Sequence, residues 1–255
     1  MFIHDISIVY YVLIGILGLI VGVFVDWLNL RLPEYKKIFS KEFFTLYLRN
    51  FKPKYILMLV TAAIYVALLY FIGWQDSIIY KIDLIKYIIL TPMILSALII
   101  DYKLQIIPNR LNLSIFEIGL IFAFVQGILS IHVGIDMLLG SCAGAGIFLV
   151  ITLIGGAIAG KEAMGFGDVK LMGALGLFFG WKNMIIISLI AFLLAAIISV
   201  TLILTKKKKT DEYIPFGPFI VIATFIVMLV PFDILLFILL KIFTLGMYKE
   251  SEMIV

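Results

Sequence analysis

Apolar residues in this chain run on in long, nearly unbroken stretches and do not alternate with polar ones. Stretches of about 18–20 apolar residues are long enough for a helix to cross a bilayer. They predict spans near 7–30, 55–73, 83–101, 112–131, 134–158, 183–204 and 214–230. A shorter apolar segment, 168–181, predicts a short helix that begins at a glycine-rich turn. Residues 232–247 are apolar too, but Pro231 and Asp233 interrupt the approach, so the segment reads either as a span or as an interfacial helix. Backbone groups in hydrocarbon must satisfy one another, and runs of this length do so as helices. The expected fold is all-α, a polytopic integral membrane protein with about eight transmembrane helices.

Composition agrees. The 255 residues are 64% hydrophobic and 14% charged, and mean hydropathy is +1.21. A soluble domain is nearer half apolar and a quarter charged. No basic residue precedes the first apolar run and no small-residue cleavage site closes it, so residues 7–30 are expected to be a retained span. The one cysteine, Cys142, excludes an intrachain disulfide and a cysteine cluster for zinc. It reads as a small packing residue between helices. His4 and His132 lie near span ends and far apart, which argues against a metal site. The net charge of +4 comes without the aromatic-and-basic pattern of a nucleic-acid surface, so no nucleic-acid partner is expected.

Charge does set an orientation. Loop 31–54 holds Arg31, Lys36, Lys37, Lys41, Arg49, Lys52 and Lys54. Lys103, Arg110, Lys161, Lys170 and Lys206 to Lys209 fall in three further connections on the same side. Together these are fifteen of the twenty basic residues, whereas the opposite connections hold only Lys81 and Lys182. The asymmetry predicts a cytoplasmic position for the first set and an outside N-terminus.

Within this frame two acids stand out. Asp168 follows Gly165-Phe166-Gly167 and precedes Val169-Lys170, at the start of an apolar run. A central aspartate costs about 2.5–3.5 kcal/mol on insertion scales, so an acid here is a functional candidate. The glycines free the backbone where another group must come close. Asp101 ends the third span after Ile99 and Ile100, on the same predicted face. Position alone leaves two readings open: a pair that meets, or two interfacial acids answered by Lys103 and Lys170. If they meet, two like charges in a poor dielectric cannot both ionise, and the pair shares a proton. One carboxylate can then deprotonate water while the other protonates or polarises a carbonyl oxygen. That chemistry requires no metal, serine or cysteine.

Flanking motifs favour the pair. Pro108-Asn109-Arg110-Leu111 follows Asp101, and Asp168 lies inside Met164-Gly165-Phe166-Gly167-Asp168-Val169-Lys170-Leu171-Met172. Ile214-Pro215-Phe216-Gly217-Pro218-Phe219 opens a later span, and Gly22-Val23-Phe24-Val25-Asp26-Trp27-Leu28-Asn29 runs into Arg31-Leu32-Pro33. In this order, over most of the chain, the motifs resemble the bacterial type IV prepilin peptidases, a family of GxGD membrane aspartyl proteases. The resemblance implies that Asp101 and Asp168 are the catalytic pair. It implies that Gly165, Gly167, Lys170, Pro215, Phe216, Gly217 and Pro218 belong to the substrate cleft and its motifs. The implied substrate is the N-terminal segment of a prepilin or pseudopilin, cut after a glycine between its basic leader and its apolar segment. The implied place is the bacterial inner membrane, in contact with lipid, with the active site facing the cytoplasm. Many relatives also N-methylate the new terminus with S-adenosylmethionine, whereas proteolysis requires no cofactor.

Two departures bear on methylation more than on proteolysis. Many relatives carry two Cys-x-x-Cys pairs in the first loop, a zinc site, but residues 34–54 contain no cysteine, so no zinc is expected. Cysteine-free relatives are also known. The loop is then expected to hold its shape by packing of Phe43, Phe44, Leu46 and Tyr47. Where relatives usually have asparagine, this chain has Asp26. The division that follows is 1–54 (first span and basic loop), 55–82 (second span and outer loop), 83–247 (peptidase core) and 248–255 (tail).

Two rival readings exist. A presenilin-like intramembrane protease shares the GxGD element, but Ile100, not tyrosine, precedes Asp101. A proton-coupled transporter is expected to show internal repeats around midplane acids, and none is evident. Glu117 and Asp136 read as polar bonds between helices or interfacial acids, with a role near the site open for Glu117. Lys206 to Lys209 read as a topology anchor. Gly140-Ser141-Cys142-Ala143-Gly144-Ala145-Gly146 reads as a small-residue helix contact.

Overall fold

The computed structural model describes residues 2–3, 6–38, 40–49, 52, 54–73, 77–160, 164–205 and 214–244. His4, Lys161, Lys206, Lys207, Lys208, Lys209 and the segment 245–255, which includes the tail at 248–255, lie outside the described residues.

Eight α-helices build the described fold: α1 Ile8–Arg31, α2 Tyr55–Ile72, α3 Ile78–Leu104, α4 Asn109–Leu129, α5 Ile131–Ala159, α6 Phe166–Leu204, α7 Gly217–Leu229 and α8 Phe232–Phe243. A short antiparallel pair, β1 Phe2–Ile3 with β2 Ile6–Ser7, precedes α1. A π-helical turn, Phe43–Tyr47, follows it. The helices α1 to α6 are each long and apolar enough to cross a membrane. At 1.5 Å per residue the described α7 and α8 are about 20 and 18 Å long, each shorter than the roughly 30 Å hydrocarbon core and, for α7, shorter than the span expected over 214–230.

The predicted helix 168–181 and span 183–204 are the two arms of α6, which breaks at Gly180 with φ 73° and ψ 169°. The break has a partner. Trp181 donates its backbone N–H to the Asp136 carboxylate, so α5 caps the second arm of α6. A side chain on Gly180 would collide with that carboxylate. Asp136 is therefore the inter-helix polar bond expected of it.

Glycines bring two helix pairs into backbone contact, as small residues do in membranes. On α1, a Cβ at Gly18 would come within 2.5 Å of Ala62 Cα and one at Gly22 within 2.6 Å of Met58 Cα. Between α5 and α6, Gly140 faces the Gly176 carbonyl and Gly144 the Met172 carbonyl. The small-residue face is thus real at Gly140 and Gly144. Gly146 meets nothing, and Cys142 is exposed on the outer surface of α5, not packed between helices as its sequence context suggested. The α5 helix turns about 100° per residue, so Cys142 cannot share the face of Gly140 and Gly144.

The first arm of α6 is the centre of the molecule. Leu171, Met172, Leu175, Leu177 and Phe178 are all buried, with α4, α5 and α7 packed around them. A helix apolar on every side suits this enclosed position. Pro92 inside α3 has no N–H to give the Ile88 carbonyl. Tyr65 Oη of α2 donates to that carbonyl at 2.8 Å, so the helix defect is repaired by a neighbour. At the end of the bundle away from Asp101, the buried Lys86 pairs with Asp83 at 2.7 Å, and Gln126 Nε2 donates to Asp83 at 2.8 Å. This clamp joins α3 to α4.

Candidate active site

Asp101 lies three residues before the end of α3, where Gln105 closes the helix in the left-handed region (φ 56°) and returns its N–H to the Asp101 carbonyl at 2.8 Å. Ile106, Ile107 and Pro108 form a short strap into α4. Asp168 occupies the first turn of α6, with its N–H on the Gly165 carbonyl at 3.0 Å.

The fold brings the two acids together. Each is only 3% exposed, and the charge of Asp101 bears on Asp168. The reading in which each acid is answered by a lysine fails. Lys170 is exposed and gives its Nζ to Asn109 Oδ1 at 2.8 Å, 5.5 Å above the Phe166 ring. Lys103 is exposed as well.

Gly217 joins the pair from a third segment. Its N–H donates to Asp101 Oδ2 at 2.9 Å. A Cβ at Gly217 would stand 2.5 Å from that oxygen, so the contact requires glycine. Pro218 at the start of α7 and Pro215 before it hold this backbone irregular at the helix N-terminus. Phe216 anchors the turn in an aromatic cluster, 5.7 Å from Phe148 and 5.1 Å from Phe192 between ring centroids. Asp168 Oδ1 is buried without a hydrogen-bond partner, which leaves it one open bonding position in the site. Gly167 lies against Ile107, 3.3 Å from where its Cβ would be. A cavity of about 490 Å³ flanks the first turns of α6, lined among others by Asn109, Asn112, Ser141, Val169, Lys170 and Gly173. Glu117 is exposed on the outer face of α4 and takes no part in the site.

The sequence reading passed over Asn112. It is buried, and its Nδ2 donates to the Gly167 carbonyl at 3.0 Å. The available signal was a second asparagine in the first turn of a helix, a position that ordinarily suggests capping.

The first loop forms a separate cluster. Asp26 is buried and accepts Tyr47 Oη at 2.8 Å and Lys54 Nζ. Arg31 pairs with Glu42 and lies 4.2 Å over the Trp27 ring. Phe43 and Tyr47 pack on Trp27, as expected, and Phe44, though 72% exposed, meets the Phe43 ring edge-on, whereas Leu46 is 59% exposed. A π-helical turn places only some of its residues inward. Burial and the Asp26 carboxylate push the Tyr47 phenol above its ordinary range. Among the described residues, no group of three or more His, Cys, Asp or Glu side chains is placed to hold a metal ion.

Comparison with known proteins bears on the same segment. Residues 88–200 match the type IV leader peptidase family. The chain is 32% identical over 142 residues to the prepilin leader peptidase/N-methyltransferase of Aeromonas hydrophila, covering 56% of this chain and 48% of that one. It is 38% identical over 138 residues to the protein of that name from Legionella pneumophila, covering 53% and 46%. For the protein of that name from Escherichia coli strain K12 the identity is 32% over 136 residues, covering 52% and 57%. The chain spans about half the length of the curated relatives it matches. No solved structure gives a significant match. Residues 88–200, which contain both Asp101 and Asp168, are thus similar to the type IV leader peptidase family.

Proposed function

We propose that this protein is a membrane aspartic endopeptidase that removes the basic leader of a prepilin or pseudopilin, cutting after a glycine at the cytoplasmic membrane face. The observation that carries this reading is the burial of Asp101 and Asp168 at one end of the bundle, where the charge of Asp101 bears on Asp168. The pair holds one proton. One carboxylate takes a proton from water as that water attacks the scissile carbonyl, and the other gives a proton to the carbonyl oxygen. The Gly217 N–H orients Asp101 throughout. Gly165, Gly167, Lys170 and the Pro215–Pro218 turn form the cleft, and residues 83–247 form the peptidase core. The basic loops lie in the cytoplasm of a bacterial inner membrane and the N-terminus outside.

The reading extends to a second activity, N-methylation. A cavity of about 440 Å³ beside the first loop is lined by Phe24, Trp27, Ile38, Ser40, Lys41, Phe43 and Phe44, and Ser40 Oγ is buried without a partner. Aromatic faces suit a purine and a sulfonium cation, and Lys41 suits a carboxylate. These residues fit S-adenosylmethionine, which supplies an electrophilic methyl group when bound.

Incubation of purified protein with a prepilin and S-adenosylmethionine, read by intact mass, tests both activities. A leader-sized loss supports the peptidase, and a further methyl increment supports the second activity. Asp101→Asn and Asp168→Asn are each expected to abolish the leader loss while the protein still inserts. Full cleavage by either variant sinks the two-aspartate mechanism.

A further inference from the structure

Asn112 is 4% exposed in the first turn of α4. Its amide does not cap its own helix, whose N-terminus has no side-chain cap. It crosses to α6 and holds the carbonyl of Gly167, the residue before Asp168. Its Oδ1 is buried and has no partner. A position that only filled space would be served better by an apolar side chain, because a buried unpaired carbonyl is unfavourable. The polar residue is therefore there for the bond its Nδ2 makes.

That bond closes a short circuit. The strap from Gln105 to Asn112 is tied at one end to Asp101 through the Gln105 N–H. Its middle packs Ile107 on Gly167, and its far end bonds the Gly167 carbonyl. One segment of eight residues thus links the backbone of one acid to the peptide that leads into the other.

We propose that Asn112 is a positioning residue, which sets the separation of Asp101 and Asp168 by fixing the Gly167 peptide. Its effect on activity rests on the aspartic-peptidase reading; its effect on geometry does not. Small displacements at a reacting centre are costly: a shift of about 1 Å lowers turnover about 10²-fold. Substrate binding is spread over a long segment and changes little.

The test has two arms. In membranes, Asp101→Cys and Asp168→Cys are combined with Cys142→Ala, and the rate of cysteine cross-linking is followed with and without Asn112→Ala or Asn112→Asp. The aspartate variant keeps the shape and loses the donor. Both substitutions are expected to slow cross-linking about tenfold. In the otherwise unaltered chain, both are expected to lower kcat on a prepilin about 10²-fold, with KM changed by less than about threefold. Slowed cross-linking in a protein whose parent cleaves no prepilin upholds the positioning role and removes only the peptidase reading. Parental cross-linking rates, with kcat within about twofold of a cleaving parent, overturn the positioning role.

Discussion

At Asp101 the decisive neighbour is a backbone N–H from Gly217, 2.9 Å away, supplied by a segment more than a hundred residues further along. A backbone donor holds a carboxylate without bringing a competing charge, which leaves the interaction between the two acids unscreened. This explains why a glycine stands between Phe216 and Pro218: any Cβ there meets the carboxylate oxygen. Gly217→Ala is expected to destabilise the protein by about 1–3 kcal/mol through overpacking. Cleavage should fall further, about 10²-fold in kcat, because the oxygen displaced belongs to the proposed dyad. Thermal unfolding in detergent and single-turnover cleavage separate the two effects. Normal turnover would show that the contact has no part in the chemistry.

Among the elements, α3 carries both the site and its own defect. Pro92 frees the Ile88 carbonyl inside a membrane span, and Tyr65 of α2 satisfies it. Tyr65 is 1% exposed, so Tyr65→Phe leaves a buried acceptor unpaired at a cost of about 1–3 kcal/mol. A fall of that size in unfolding free energy is the expected result, and an unchanged stability would mean that α3 repairs itself. The first loop is held in another way. Tyr47 sits between Trp27 and Asp26, and both burial and the carboxylate favour its neutral form. A phenol whose pKa is raised on folding contributes stability below its unfolded pKa, about 10, and loses it as pH rises above that value. Fluorescence of Trp27, with Trp74 and Trp181 replaced by phenylalanine, should report a loosening of the loop above about pH 10. Adding Tyr47→Phe should abolish that pH-dependent transition. If the transition persists unchanged, another group holds the loop.

For the molecule as a whole, orientation decides the proposed function, because on that reading the leader stays in the cytoplasm and can be cut only by a site on that face. The exposed Tyr102 lies just after Asp101, and the exposed Ile131 begins α5 near the other end of the bundle. With Cys142 replaced by alanine, Tyr102→Cys is expected to react with an impermeant maleimide only in inverted vesicles. Ile131→Cys should react only in intact cells. The reverse pattern would remove the cytoplasmic site and the leader-peptidase reading with it. The family match ends at residue 200, yet the Gly217 contact to Asp101 lies beyond it. The candidate site therefore draws on α7 as well as the matched segment.

The sequence by itself determined the helices and the two acids, because long apolar runs have one economical backbone solution in lipid and an acid beside them is costly. Motif order supplied the family resemblance. The tertiary structure decided what touches what. It joined the segments 168–181 and 183–204 into one helix broken at Gly180, since the break depends on Asp136 from another helix. It turned Cys142 outward and removed Glu117 from the site, because facing is set by helix rotation, which residue type does not fix in an apolar bundle. It set Asn112 against the Gly167 carbonyl and Gly217 against Asp101 for the same reason. Contacts between residues 112 and 167, or 101 and 217, are set by which helices pack together, and hydropathy along one chain carries no record of that choice.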